Sequence, residues 1–446
     1  MKLKAWLGGA AIAVVVIAAG VAVYVHHTPV SPFSAGAVAA PVASPEDEYV
    51  QRLADCVACH STADGEPFAG GLKMGTPMGA LYSTNITPDP DTGIGKYSLA
   101  EFDNAVRRGV AKDGHRLHPA MPYPSYAKLS DDDVRKLYGY FMLSVKPVRA
   151  QNQPTEISFP LNQRWLLALW DGVFLHDHTY QPKSDHDRSW NRGAYLVQGL
   201  GHCGACHTER GFAFNEVALD ERSDKYLGGA LLDAWYASDL RSDKVLGLGT
   251  WSAEDIRNFL KSGHNPHATV YGSMLDAFNN STQFMSDEDL SGIATYLKSL
   301  ASARADTKSY AYDERTGQAL DRGDFGARGA AQYLNQCSTC HGRDGKGRGH
   351  LLPPLAGNAS VLEHDPSSLI NIMLNGAGRI VVHGVPDSYR MTPFRVLLSD
   401  EEIADIATFI RSGWGNDAGS VGVTQVHELR DATDPSSDHV IVLRLR

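Results

Sequence analysis

The stretch DCVACH, residues 55–60, decides the fold, because it places two cysteines and a histidine in one short run. The pattern CxxCH returns in HCGACH (202–207) and QCSTCH (336–341), and all six cysteines of the chain belong to these three motifs. CxxCH is the attachment signature of c-type haem, in which both thiols form thioethers and the histidine ligates the iron. A CxxC pair also occurs in redox dithiols and zinc sites. Three complete copies favour haem.

The motifs predict three covalently bound haem c groups. The predicted thioether residues are Cys56, Cys59, Cys203, Cys206, Cys337 and Cys340, and the predicted histidine ligands are His60, His207 and His341. Methionine is the sixth ligand expected of an electron carrier with a high potential. One methionine stands before the last helix of each repeat: Met121, Met274 and Met391.

Other residues compete for the sixth position. Methionine is more commonly a core residue, and this interpretation is kept for Met74, Met78, Met285 and Met373. Bis-histidine ligation would lower the potential and would use His118, His267 or His383.

The repeats extend beyond CxxCH. Each motif follows a segment with an upstream tyrosine, in EYVQRLADC, RGAYLVQGLGHC and RGAAQYLNQC. A helix ending at glycine comes next, at Gly109, Gly263 and Gly376. A last helix begins after Ser130, Ser286 and Ser399, with Asp133, Asp289 and Glu402 three residues on; the glutamate makes a strict capping box and the aspartates a weaker one.

The sequence therefore predicts a mainly α protein, with three tandem class I cytochrome c domains after an N-terminal transmembrane helix. The predicted domains are 46–150, 191–305 and 323–415. The remaining segments are an anchor (1–27), a flexible linker (28–45), a connector (151–190), a second linker (306–322) and a C-terminal tail (416–446).

The anchor rests on residues 5–25, which carry no charge and are long enough at 1.5 Å per residue to cross a layer of about 30 Å. A cleaved signal peptide is the competing interpretation. Lys2 and Lys4 precede the apolar run and place the N-terminus in the cytoplasm. The expected location is the bacterial cytoplasmic membrane, with a single N-terminal span and the haem domains on the periplasmic side.

Composition excludes several functions. The net charge of −10 and the lack of long basic runs give no footprint for nucleic acid. No nucleophile elbow, phosphate loop or dinucleotide fingerprint stands out, so we expect no catalytic site of its own.

At this point a family resemblance becomes specific. LYSTNITPDPDTGIG (81–95), HPAMPYPSY (118–126), WNRGAYLVQGLGHCGACHTERG (190–211) and PPLAGN (353–358) resemble the three-haem cytochrome c subunit of membrane-bound bacterial dehydrogenases. The resemblance covers nearly the whole chain after residue 45. It implies that a partner subunit oxidises an alcohol, aldehyde, sugar or sugar acid, and that this chain relays electrons to ubiquinone.

The resemblance also suggests which partner to expect. A retained anchor resembles the aldehyde dehydrogenase branch, whose partners are a molybdopterin subunit and an iron–sulfur subunit, and this branch is favoured. A quinoprotein alcohol dehydrogenase or a flavoprotein gluconate or sugar dehydrogenase is the alternative. From other classes, a haem peroxidase needs one open iron, and a terminal oxidase subunit or a free-standing multihaem carrier is also considered.

Two segments remain. WLLALWDGVF (165–174) is interpreted as a helix that seals the first two domains together, with contact to lipid, a partner or a quinone as the alternative. VIVLRLR (440–446) has the pattern of a strand.

Overall fold

The computed structural model describes residues 15–16, 19–20, 22–33, 44–76, 78–232, 234–304, 309–349, 351–387 and 389–436. These residues form mainly helices, joined by long irregular loops and by three two-stranded antiparallel hairpins. The strand-like segment predicted at 440–446 lies outside the described residues.

The first repeat and the connector account for the helices up to residue 174. Their bounds are Pro45–Ala54, Cys56–Cys59, Leu99–Arg108, Tyr123–Tyr126, Asp131–Leu143 and, in the connector, Trp165–Phe174. A hairpin pairs Lys73–Thr76 with Gly79–Tyr82. The helix Leu99–Arg108 ends, as predicted, at Gly109, whose φ of 62° lies in the left-handed region that favours glycine.

The second repeat follows the same order. Its helices are Arg188–Tyr195, which continues as a π-turn over Leu196–Leu200, then Gly204–His207, Ala253–Ser262, Met274–Asn280, the 3₁₀ turn Thr282–Phe284, and Asp287–Ser299. Its hairpin pairs Ala230–Leu232 with Trp235–Ala237.

The third repeat is shorter. Its helices are Ala330–Gln336, Ser338–His341, Ala359–Leu362, Ser367–Asn375 and Asp400–Ser412, flanked by Arg315–Asp321 before it and Val423–Ala432 after it. A very short hairpin pairs Val381–Val382 with Val385–Pro386.

The cores do not follow the predicted division into three. One apolar cluster contains Leu53 and Leu137 of the first repeat together with Leu196, Ile293 and Leu297 of the second. A separate cluster belongs to the third repeat. The prediction of three tandem class I cytochrome c domains is therefore wrong, because the first two repeats bury their apolar helix faces against each other. The predicted domain boundaries themselves stay a prediction.

A reciprocal polar contact joins the first two repeats. Tyr49, which precedes the first CxxCH, donates from Oη to Asp289 Oδ2 of the second repeat at 2.7 Å and accepts from the Ser286 N–H at 3.0 Å. Tyr195, which precedes the second CxxCH, donates to Asp133 of the first repeat and accepts from the Ser130 N–H at 3.1 Å. Each repeat therefore caps the last helix of the other.

Replacing Tyr49 by phenylalanine is expected to destabilise the paired repeats by about 1.5–3 kcal/mol, because Asp289 is charged and buried and loses one donor. Although burial raises the pKa of Asp289, hydrogen bonds from Arg192 and Tyr49 hold it below the usual value. The contribution is therefore present above the unfolded carboxyl pKa and is lost as pH falls through the lowered folded value. Denaturant unfolding as a function of pH measures both effects.

Tyr312→Phe is the matched control, since its Oη donates to the Asp344 carbonyl at 3.1 Å in an exposed position. We expect it to change stability by no more than about 0.5 kcal/mol. Equal losses from both substitutions would contradict a special role for Tyr49.

The predicted N-terminal span is also wrong. Within the described part of the chain, no helix has the length and apolar character that crossing a membrane requires. Most of the 5–25 segment lies outside the described residues. The predicted location, a single span in the cytoplasmic membrane, depends on that N-terminal helix and loses its basis.

Part of the predicted flexible linker packs on the first repeat. The Pro29 carbonyl accepts from Asn104 Nδ2 at 3.1 Å. The buried Phe33 ring lies 4.8 Å from the Arg135 guanidinium. Residues 34–43 lie outside the described residues.

Candidate haem-binding sites

Each CxxC pair lies on a single helical turn. Cys56–Cys59 is one turn, and Cys203 and Cys337 open the turns Gly204–His207 and Ser338–His341. Residues three apart on a helix share a face. The two thiols of each motif therefore reach toward one edge of a bound group, as two thioether bonds to one porphyrin require.

The three motif histidines are held in the same way. Nδ1 of His60 lies 2.7 Å from the Thr84 carbonyl oxygen, Nδ1 of His207 lies 2.7 Å from that of Ser238, and Nδ1 of His341 lies 3.0 Å from that of Pro353. A carbonyl only accepts, so each Nδ1 carries the proton and each Nε2 keeps its lone pair. The histidines are therefore prepared to ligate a metal through Nε2.

Burial lowers the pKa of His60, His207 and His341, and the carbonyl contact opposes this only in part. The neutral imidazole, which is the form that binds iron, is thus favoured at each site.

The cysteines do not have the character of zinc ligands or redox dithiols. Burial raises the pKa of the Cys56, Cys203 and Cys337 thiols to about 12. Zinc ligation and thiol exchange use thiolates, whose pKa is lowered by the surroundings. Among the described residues, no group of three or more His, Cys, Asp or Glu side chains is placed to hold a metal ion. The residues fit covalent haem attachment better than either alternative.

The carbonyl partners of the histidines were missed by the sequence analysis, although a signal was present. Thr84 and Ser238 are the third residues of two loops of equal length, 82–98 and 236–252. In the third repeat, which lacks a loop of that length, the partner is Pro353, the first residue of PPLAGN. A residue at the same position of a loop that recurs after CxxCH is a candidate for orienting the histidine.

The predicted sixth ligands lie next to the cores. Met121 packs against the shared core, and its carbonyl accepts from the Tyr123 N–H at 2.8 Å. Met274 begins a helix and packs against Leu275 and Phe278. Met391 packs against the third core. Ligation by these methionines stays a prediction.

Two of the competing methionines are core residues, since Met285 and Met373 are 3% and 2% exposed. Met74 lies in the first hairpin, and Met78 lies in its turn.

Two of the competing histidines are held in other contacts. The His267 ring stacks on Trp251 with 5.2 Å between ring centroids, and the His383 ring makes an edge contact with Phe284 at a centroid distance of 6.4 Å. His118 differs, because its buried Nε2 has no hydrogen-bond partner among the described residues and burial lowers its pKa to about 4. His118 is thus the alternative to Met121 in the first site.

The connector helix Trp165–Phe174 lies between the first two repeats. Trp170 Nε1 donates to the Ala213 carbonyl at 2.9 Å, and Asp171 Oδ1 accepts from Tyr123 Oη at 2.7 Å. Burial raises the pKa of Asp171 to about 6. Trp165 on the opposite face is 46% exposed. One face therefore seals the repeats, while contact of the other face with lipid, a partner or a quinone stays a prediction.

Comparison with known proteins agrees with this geometry in the third repeat. The family model described as cytochrome c matches residues 326–414, one domain in place of the three predicted. A cytochrome c domain carries covalently bound haem c.

Relatives match most of the chain. The gluconate 2-dehydrogenase cytochrome c subunit of Pantoea cypripedii is 48% identical over 86% of this chain and 88% of its own length. The cytochrome c subunit of alcohol dehydrogenase (quinone) from Gluconobacter oxydans (strain 621H) is 46% identical over 87% and 82%. The fructose dehydrogenase cytochrome subunit of Gluconobacter japonicus is 37% identical over 86% and 81%. The chain therefore belongs to the family of cytochrome c subunits of gluconate, alcohol and fructose dehydrogenases, which are electron-transfer subunits and not catalytic ones.

Proposed function

We propose that the chain holds three haem c groups and passes electrons from the catalytic subunit of a dehydrogenase complex to membrane ubiquinone. The proposed number of three haems rests on one repeated observation. Nδ1 of each motif histidine (His60, His207 and His341) lies within hydrogen-bond distance of a backbone carbonyl. The first two motifs share this arrangement with the third, which lies in the matched cytochrome c domain.

Bound haem supplies a one-electron iron couple. The residues proposed to hold it are the six motif cysteines, with His60 and Met121, His207 and Met274, and His341 and Met391 as the axial pairs. The chain orients each histidine, keeps it neutral and surrounds the site with apolar side chains. An iron closed on both faces by the protein leaves no position for substrate, which favours a carrier over a peroxidase.

The proposed catalytic partner oxidises a hydroxyl group, as the names of the gluconate, alcohol and fructose dehydrogenase relatives suggest. The argument for the molybdopterin aldehyde branch rests on a retained N-terminal span. Since no described helix spans a membrane, that argument is lost. The aldehyde branch is now one outcome of the experiment that follows.

Purification of the complex from its host membranes through this chain is expected to recover a quinoprotein or flavoprotein catalytic subunit. Mass spectrometry of the chains and elemental analysis of the metals identify the partner. Molybdenum together with an iron–sulfur subunit would move the assignment to the aldehyde branch. A chain that arrives alone would contradict the subunit proposal and leave a free-standing carrier.

Carbon monoxide addresses the peroxidase alternative, because it binds reduced haem iron only where a position is open or easily vacated. We expect the visible spectrum of the reduced protein to stay unchanged under carbon monoxide. A shifted haem band would count against a closed carrier.

A further inference from the structure

The 381–386 hairpin of the third repeat lies against the second repeat, and two side-chain amides complete its outer edge. Asn279 Oδ1 accepts from the Val381 N–H at 2.9 Å, and Asn279 Nδ2 donates to the Arg379 carbonyl at 3.1 Å. Gln283 Nε2 donates to the Val381 carbonyl at 2.8 Å, and Gln283 Oε1 accepts from the His383 N–H at 3.0 Å. The amides alternate donor and acceptor as a neighbouring strand would.

The two side-chain amides take the place that a third strand would have beside Val381–Val382. Among the described residues, strands Val381–Val382 and Val385–Pro386 pair only with each other, so the first strand would otherwise expose unpaired N–H and C=O groups. Asn279 lies in the last turn of an α-helix and Gln283 lies in the 3₁₀ turn that follows it; Gln283 Nε2 also donates to the Asn279 carbonyl at 2.7 Å, and both amides bond the same strand. Gln283 is 2% exposed, so its loss would leave buried backbone groups without partners.

The hairpin also forms part of the apolar surroundings of Met274. Ile380, just before the first strand, is buried in a small cluster with three residues of the second repeat, and Val382 and Met274 pack against that cluster. The second-repeat members are Val270, Leu275 and Phe278. The surroundings of the methionine proposed for the second haem are thus completed by a segment of the third repeat.

We infer that Asn279 and Gln283 are positioning residues for the second haem, acting through the hairpin that they hold beside Met274. The inference rests on the proposed function, in which Cys203, Cys206, His207 and Met274 hold that haem. Burial and solvent access set haem potential. Release of the hairpin would admit water beside Met274 and favour the more highly charged ferric state.

The test uses the full haem-loaded chain carrying Asn279→Leu and Gln283→Met, which replace the amides by apolar side chains of similar length. We expect the midpoint potential of the second haem to fall by about 59 mV, a tenfold change for a one-electron couple. The other two potentials should stay in place. Met274→His identifies the second haem, because a bis-histidine haem titrates at a lower potential.

The Asn279→Leu single variant provides a milder change if the double variant folds poorly. Asn280→Leu is the matched control: it lies on the same helix, and no side-chain hydrogen bond joins Asn280 to the hairpin among the described residues. Hydrogen exchange of the Val381 and His383 amides reports whether the hairpin is released. Faster exchange with an unchanged potential would overturn the inference, and so would unchanged exchange.

A failure of the proposed function would already be detected in the unaltered chain, before any Asn279 or Gln283 variant is made. Absence of covalent haem at Cys203 and Cys206, or absence of a methionine–iron absorption band assigned by Met274→His, would contradict the proposed site itself. Failure of the inference appears only in the Asn279 and Gln283 variants.

Discussion

Replacing Cys203 and Cys206 by serine will remove one covalently bound haem from the purified protein and leave two in place. Serine cannot form the thioether bonds, and the helical turn Gly204–His207 no longer fastens a porphyrin. Intact-mass spectrometry of the denatured chain counts the haems that remain attached. Haem staining after denaturing electrophoresis gives an independent count.

The same double substitution at Cys56 and Cys59, or at Cys337 and Cys340, serves as the comparison. Each is expected to lose one haem. Since the family model matches residues 326–414, the third pair tests an assignment that already has support, and the first two pairs test the count. An unchanged mass for the Cys203 and Cys206 variant would contradict the three-haem proposal.

Trp414→Ala will destabilise the third repeat by about 3–5 kcal/mol. Trp414 is fully buried, and its ring lies 5.1 Å from the ring of Tyr333 and 5.6 Å from that of Phe409. Its Nε1 donates to the Arg343 carbonyl at 2.8 Å. The substitution therefore leaves a large cavity and an unpaired carbonyl. Denaturant unfolding of the haem-loaded chain measures the loss.

Trp165→Ala is the matched control, because Trp165 is also a tryptophan but is 46% exposed in the connector helix. We expect a change of no more than about 0.5 kcal/mol. Comparable losses from the two substitutions would show that removal of any tryptophan weakens the protein, and the argument from the third core would fail.

The local features of the sites were predictable from the sequence. CxxCH, the glycine at the end of the middle helix and the serine before the last helix each depend on a few neighbouring residues. The structure places Gly109 and Gly263 in the left-handed region, and it shows Ser130, Ser286 and Ser399 accepting from the N–H three residues on.

The pairing of repeats was not predicted, because it depends on contacts between residues far apart in the chain. The residue three positions after the N-cap serine nevertheless differs between the third repeat and the first two. Glu402 closes its own capping box with the Ser399 N–H, whereas the shorter Asp133 and Asp289 bond a tyrosine of the opposite repeat. In the first two repeats, the aspartate three residues after the serine thus bonds across the repeat boundary.

The N-terminal prediction failed for a different reason. An uncharged run of sufficient length is a statement about composition, and composition alone does not establish a membrane-spanning helix. The argument for a molybdopterin partner depends on that uncharged run, and it is lost with the predicted span.

The exchange of tyrosine and aspartate between the first two repeats has the form of an isologous interface, in which residue i of one partner meets residue j of the other and the reverse also holds. Tyr49 meets Asp289, and Tyr195 meets Asp133. Each repeat therefore carries both halves of the contact, as a subunit of a two-fold homodimer does. Duplication and fusion of a self-pairing ancestor would leave this pattern, and the third repeat stands outside the symmetric pair.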